Sequence, residues 1–158
     1  MPIPMAQPKS CCRDPGQAPD FGLDLTDINV LHEGMTRSAE ELVTEFCKRW
    51  ASPDPDEIAS YFAEDAVYHN IPMQPVRGRE AIRDFIAGFF AAFEGIDFNV
   101  HRQVSDGTLV MNERTDVMRR KDGDPIPLPV MGVFEVQNDR IAAWRDYFDM
   151  AAITSAFS

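Results

Sequence analysis

The sequence predicts one α+β domain, a curved sheet wrapped against helices, behind an N-terminal arm. Three observations predict it. Helix-period apolar patterns follow Ser38, strand patterns joined by turn signals fill the chain from Ile96 onward, and five of the twelve prolines fall within the first twenty residues. At 158 residues and 44% apolar content, the chain has the length of one domain and material for one real core.

Residues 1–35 sustain no helical or alternating pattern around Pro2, Pro4, Pro8, Pro15 and Pro19, so they read as an arm; residues 36–158 read as the domain. Ser38 followed by Glu41 is a capping box, and Leu42, Val43, Phe46 and Trp50 recur at helical spacing. Asp54-Pro55 with Glu57 starts a second, short helix, with Ile58, Tyr61 and Phe62 as its stripe. Arg79 to Phe93 reads as a third helix with a broad apolar face, in which Phe89, Phe90 and Phe93 look like ordinary core. A short strand is expected over Ala66–Asn70. Ile96–Val104 and Thr108–Arg119 are joined by Ser105-Asp106-Gly107, a hairpin signal. Ile126–Gln137 follows Lys121-Asp122-Gly123-Asp124, and Arg140–Phe148 follows Asn138-Asp139. Pro127 and Pro129 imply an edge or a bulge in the fourth strand.

Charge and cysteines exclude several classes. Twenty-six acidic against fifteen basic residues leave a formal charge of −11, the wrong sign for a face that holds nucleic-acid phosphates or an anionic membrane. No apolar run reaches the length of a membrane span. Three cysteines, two of them adjacent at Cys11 and Cys12, make neither a disulfide framework nor a zinc site, and a reducing cytoplasm is expected.

Alternation with period two decides which strand residues point together. Arg114, Asp116 and Met118 share one face; Trp144, Asp146 and Phe148 share another; Tyr68 and Asn70 share a third. The bulky members, Met118, Trp144 and Phe148, should look inward and bring the charged ones with them. Buried carboxylates cost several kcal/mol unless paired or neutralised, and one Arg between two Asp can satisfy both. Such a cluster serves catalysis or is a purely structural pairing, and periodicity alone does not choose. His69 has the opposite parity to Tyr68 and Asn70, which places it outward; His32 and His101 read as surface residues.

Six stretches together resemble the limonene-1,2-epoxide hydrolase family in order and spacing. They are Tyr61-Phe62-Ala63-Glu64-Asp65, Tyr68-His69-Asn70-Ile71-Pro72-Met73, Gly78-Arg79, Glu113-Arg114-Thr115-Asp116-Val117, Gly132-Val133-Phe134 and Trp144-Arg145-Asp146-Tyr147-Phe148-Asp149. The resemblance spans roughly residues 38–150. It implies the nuclear transport factor 2-like cone, a strongly curved mixed sheet closed by three to four N-terminal helices. It also implies a charged triad, Asp116, Arg114 and Asp146, with Tyr68 and Asn70 helping to hold a water. Met118, Leu128, Val130 and Phe148 match positions that line the family's pocket, while Pro127 and Pro129 depart from its usual strand.

On that resemblance, the expected reaction adds water to an apolar, terpene-like or cyclic epoxide in one step, giving a vicinal diol. Asp146 would be the general base, Asp116 the general acid, and Arg114 the bridge that holds their protonation states apart. The chemistry calls for no metal and no cofactor. The family pairs through its outer sheet face, so a homodimer is expected. Two other readings compete on the same fold: an isomerase or cyclase of the ketosteroid isomerase or polyketide cyclase kind, and a non-catalytic dimer that binds an apolar ligand.

Overall fold

A computed structural model of the chain describes residues 37–156; the expected N-terminal arm, Cys11, Cys12 and His32 lie outside the described residues. Helix α1 (Ala39–Arg49) starts as expected. Ser38 Oγ accepts from the Glu41 amide, and the Glu41 carboxylate accepts from the Ser38 amide in return. Helix α2 (Pro55–Ala59) is capped by Asp54, whose side chain accepts from the Asp56 and Glu57 amides. Strand β1 (Phe62–Asn70) and the two-residue β2 (Val76–Arg77) precede helix α3 (Arg79–Phe90). Then come β3 (Phe93–Ser105), β4 (Leu109–Arg120), β5 (Ile126–Gln137), β6 (Arg140–Tyr147) and a short helix α4 (Met150–Ala156).

The six strands form one curved sheet in the order β2-β1-β6-β5-β4-β3. It is mixed, because β1 runs parallel to β6 while every other neighbour is antiparallel. The expected α+β architecture is therefore present, with three helices before β3 and a fourth after β6 among the described residues. None of the helices among the described residues is long and apolar enough to cross a membrane.

Several boundaries differ from expectation for identifiable reasons. Strand β1 begins at Phe62 rather than Ala66, because the exposed Glu64 and Asp65 interrupt the alternation where its pairing with β6 shifts register. Helix α3 stops at Phe90, and Phe93 opens β3. Phe93 still stacks on Phe89 at 4.5 Å, so it completes the helix's apolar face from the strand and mimics a helical repeat. Phe148 lies just past β6. Pattern reading missed β2 and α4, both too short to establish a period.

The prolines of β5 cause no bulge. Its ladder to β4 runs without a register shift from Leu109↔Glu135 to Met118↔Ile126. Strand β6 joins the other side only from Met131 onward, so Pro127 and Pro129 occupy a half of β5 that has one neighbour. That is the edge setting in which a missing N–H costs the sheet little. Both prolines point outward, while Ile126, Leu128 and Val130 point in. The β5–β6 turn has Asn138 at φ 49° and Asp139 at φ 56°, two left-handed residues in succession as a tight hairpin requires.

Candidate active site

The inner face of the sheet carries the site. Asn112, Arg114, Asp116 and Met118 alternate inward along β4, and each is buried. Trp144 and Asp146 do the same on β6. Strand β1 adds Tyr68 and Asn70 through its parallel pairing, in which Tyr68 lies opposite Trp144 and Asn70 opposite Asp146. All five residues expected to form the charged and water-holding group are thus neighbours across three strands.

Arg114 is the hub. Its Nε donates to Asp116 Oδ1 at 2.7 Å and its Nη2 to Asp116 Oδ2 at 3.1 Å. The same Nη2 donates to Asp146 Oδ2 at 2.6 Å. Asp146 Oδ1 accepts from the Trp144 indole N–H at 2.7 Å, a partner the sequence reading did not name. Tyr68 donates its hydroxyl to Asn70 Oδ1 at 3.1 Å. The guanidinium also lies 4.5 Å from the ring centre of Phe98, which shields it from solvent with a favourable cation–π contact.

A glycine makes room for this arrangement. Gly132 on β5 stands between Asn112 on β4 and Asp146 on β6 in the ladder. A Cβ there would overlap Arg114 Nη1 and lie 2.8 Å from Asn112 Oδ1. Arg114 is held there by Asp116, Asp146 and the Asn112 amide oxygen, so its guanidinium can yield only by giving up one of those bonds.

Burial dominates the titration of the acids. It raises Asp116 from its ordinary value of 3.8 to about 7, against the opposing pull of Arg114, and the neighbouring Asp146 adds to the rise. Burial also raises Asp146, while Arg114 and the Trp144 N–H work the other way. Tyr68 is held well above its usual range, first by burial and then by Asp146, so its hydroxyl stays neutral. For Arg114 burial alone would favour losing the proton, but Asp146 and Asp116 overcome it and it remains a cation. With one cation between two carboxylates in an apolar interior, a single proton shared over the pair brings the net charge to zero.

The carboxylates open onto a cavity of about 290 Å³. Asp116, Asp146, Tyr68 and Asn70 are its polar groups; Arg114 lies behind them and does not reach the wall. Met118, Leu128, Val130 and Phe148 all line it, where the sequence reading expected a pocket. Phe89 also lines it and so is more than plain core, whereas Phe90 and Phe93 are core residues. Met150 and Ile153 of α4 complete the wall, which sequence reading missed together with their helix. His101, with its ring nitrogen 2.9 Å from the Thr115 hydroxyl, is exposed as expected. His69 is half-buried, its ring 3.0 Å from the Met73 carbonyl, and is not one of the cavity-lining residues. The described residues contain no cluster of three His, Cys, Asp or Glu side chains suited to a metal ion.

Residues 43–144 match the SnoaL-like domain. The epoxide hydrolase EphG of Mycobacterium tuberculosis is 32% identical over 110 residues, covering 68% of this chain and 71% of that protein. A solved limonene epoxide hydrolase-like (LEH-like) epoxide hydrolase from M. tuberculosis superposes with a TM-score of 0.64 at 30% identity, over 72% of this chain and 84% of that one. The epoxide hydrolase/cyclase-like enzyme SalBIII, of pyran ring formation in salinomycin, shares the fold at 20% identity, with a TM-score of 0.63 over 72% and 92% of the two chains. The chain therefore belongs to the SnoaL-like family and, within it, is a relative of the mycobacterial epoxide hydrolase EphG.

Proposed function

We propose that the protein is a cofactor-independent epoxide hydrolase that adds water to a small apolar epoxide in one concerted step. The observation that carries this reading is Arg114 bridging two buried carboxylates at the polar end of an otherwise apolar cavity. Ring opening needs a nucleophile at carbon and a proton for the departing oxygen. Such a pair supplies both once it holds one proton.

The hydrogen bonds favour one division of labour. Asp146 accepts two short bonds, from Arg114 and Trp144, and donors of that kind stabilise an anion. Asp116 Oδ2 receives only the longer arm of the shared Nη2, so it is the better place for the proton. Asp146 is then the general base, taking a proton from a water that Tyr68 and Asn70 orient. Asp116, raised to about 7, is the general acid to the epoxide oxygen. As the C–O bond breaks, the alkoxide gains the Asp116 proton and the water oxygen bonds to carbon, which leaves a vicinal diol. Asp146 then holds the water's proton and Asp116 is ionised, so the pair again carries one proton and resets by transfer between its members. A ketosteroid isomerase-like mechanism fits less well, because it sets one carboxylate base apart from the oxyanion donors and has no role for a cation bridged to both acids.

The cavity lies at the lower end of the roughly 300–1,000 Å³ usual for ligand pockets, which favours compact cyclic or terpene-like epoxides. The proposal extends to a homodimer. Val104 opposite Met111 and Met131 opposite Tyr147 leave exposed apolar pairs on the outer sheet face, a surface suited to a second copy. The buried, unpaired thiol of Cys47 agrees with a reducing cytoplasm, which is part of the same reading.

The test is a single turnover in oxygen-18 water with enzyme in excess, on limonene oxide, cyclohexene oxide and styrene oxide. Labelled diol on the first turnover is the expected result. Unlabelled diol would place the oxygen on a protein carboxylate and refute the mechanism. Near-normal turnover by folded Asp146→Asn and Asp116→Asn variants would refute the residue roles.

A further inference from the structure

Arg114 has a third arm that neither carboxylate uses. Its Nη1 donates to Asn112 Oδ1 at 2.9 Å, and Asn112 is 1% exposed and absent from the cavity wall. A guanidinium can only donate, so Asn112 must turn its amide oxygen toward it. The Asn112 amide nitrogen then faces Gln103 Oε1 at 3.3 Å and Cys47 Sγ at 3.8 Å. Gln103 is obliged to accept at that point. Its own nitrogen therefore donates onward to the Thr44 hydroxyl at 3.0 Å and the Glu40 carbonyl at 3.4 Å. Each link fixes the sense of the next, and the chain ends on helix α1.

The β3 strand is bent to make this possible. From Ile96 to Val100 its even-numbered residues pair with the inward positions of β4, as Phe98 does with Asp116. A register shift between Val100 and Arg102 then reverses the parity and sets Gln103 opposite Asn112. Bulges of this kind re-aim a side chain.

We propose that Asn112 is a positioning residue for the triad. Its amide oxygen, held in that sense by Gln103, sets the plane of the Arg114 guanidinium. Being neutral, it leaves the whole of that charge to Asp116 and Asp146. The ionisable groups acting on this cluster are Arg114 and Asp116 on β4, Asp146 on β6, Tyr68 on β1 and Cys47 on α1. Cys47 is pushed up to about 12 by burial and is neutral. The residues that β3, β5, α3 and α4 contribute to the cavity wall are all uncharged. A guanidinium left free to rotate would misplace both carboxylates without touching the pocket.

The catalytic consequence rests on the hydrolase reading, so the test carries a readout that does not. Asn112→Ala and Gln103→Ala are compared with wild type for kcat and KM on an epoxide the wild type hydrolyses. The carboxyl carbons of Asp116 and Asp146 are titrated in parallel by NMR in protein labelled with carbon-13 aspartate. Asn112→Ala should lower kcat about 10- to 100-fold with KM within about twofold, the scale expected of misplaced reacting groups. The pair's titration should move up by about half a pH unit or more as Arg114 loosens its hold. Gln103→Ala, at a half-buried position, should move both readings the same way by a smaller amount. Should Asn112→Ala fail to fold, Gln103→Ala decides alone. Folded variants with unchanged kcat and unchanged titration would overturn the proposal, as would a loss appearing only in KM. If wild type hydrolyses no epoxide, the titration still answers: a shift upholds the positioning role while the hydrolase reading falls, and no shift overturns both.

Discussion

Replacing Trp144 by Phe isolates one hydrogen bond of Asp146, the proposed base. The indole N–H donates to Asp146 Oδ1 at 2.7 Å with both groups buried, and Phe removes that donor. It keeps an aromatic ring between Tyr68, stacked at 4.2 Å, and Phe134, stacked at 5.4 Å. A hydrogen bond to a charged group contributes about 1.5–3 kcal/mol. At 1.36 kcal/mol per pH unit, its loss raises the Asp146 titration by about 1–2 units. The sign follows from the donor favouring the ionised form, so a higher pH is needed to produce the base. The assay is kcat/KM from pH 4 to 9 on an epoxide the wild type turns over. The acidic limb should move up by about 1–2 units, with the rate above it returning to within a few-fold of wild type. A folded variant whose acidic limb stays in place, or whose loss is the same at every pH, would refute the assignment of Asp146 as the base.

Three further outcomes are expected. Asp116, raised from 3.8 to about 7 in the folded state, binds its proton more tightly there than in the unfolded chain. Its contribution to stability is full below about pH 4 and declines progressively until pH passes about 7, a change on the order of 4 kcal/mol in all. Urea unfolding at pH 5 and pH 8 should show about two-thirds of that change, roughly 3 kcal/mol, in wild type and a much smaller gap in Asp116→Asn; equal gaps would contradict the burial argument. Gly132→Ala should force Arg114 aside, cutting kcat by roughly 10²-fold with a lower Tm, since the added methyl overlaps Nη1; normal kinetics would mean the guanidinium can relocate freely. Paired substitutions Met131→Glu and Tyr147→Glu on the outer face should convert a dimer to monomers by sedimentation while leaving the cavity intact; an unchanged sedimentation coefficient would place the interface elsewhere.

Much of this site was legible in the chain because its parts are local. The side-chain period of a strand is two, so Arg114, Asp116 and Met118 had to share a face, as did Trp144 and Asp146. The size of their apolar neighbours turned those faces inward. The capping box at Ser38 and Glu41, the Asp-Gly turn before β4 and the bounds of β5 were readable for the same reason, whereas the unbroken ladder of β5 to β4 past its two prolines was not. Asn112 was readable too, two residues before Arg114 on the same face, though only its buried contact gives it a role.

What the sequence by itself determined, then, is the content of each strand face and the turns between neighbouring strands. Only the tertiary structure decided which faces meet. The parallel pairing of β1 with β6 joins residues more than seventy positions apart and puts Tyr68 and Asn70 beside Trp144 and Asp146. No local period encodes a pairing across that distance. The register shift in β3, which swings Gln103 onto Asn112, breaks the very alternation from which a sequence is read. The charge of the acids was decided there as well. A carboxylate's affinity for its proton depends on how much water and which cation surround it, and those are set by packing from β1, β4, β6 and α1 together.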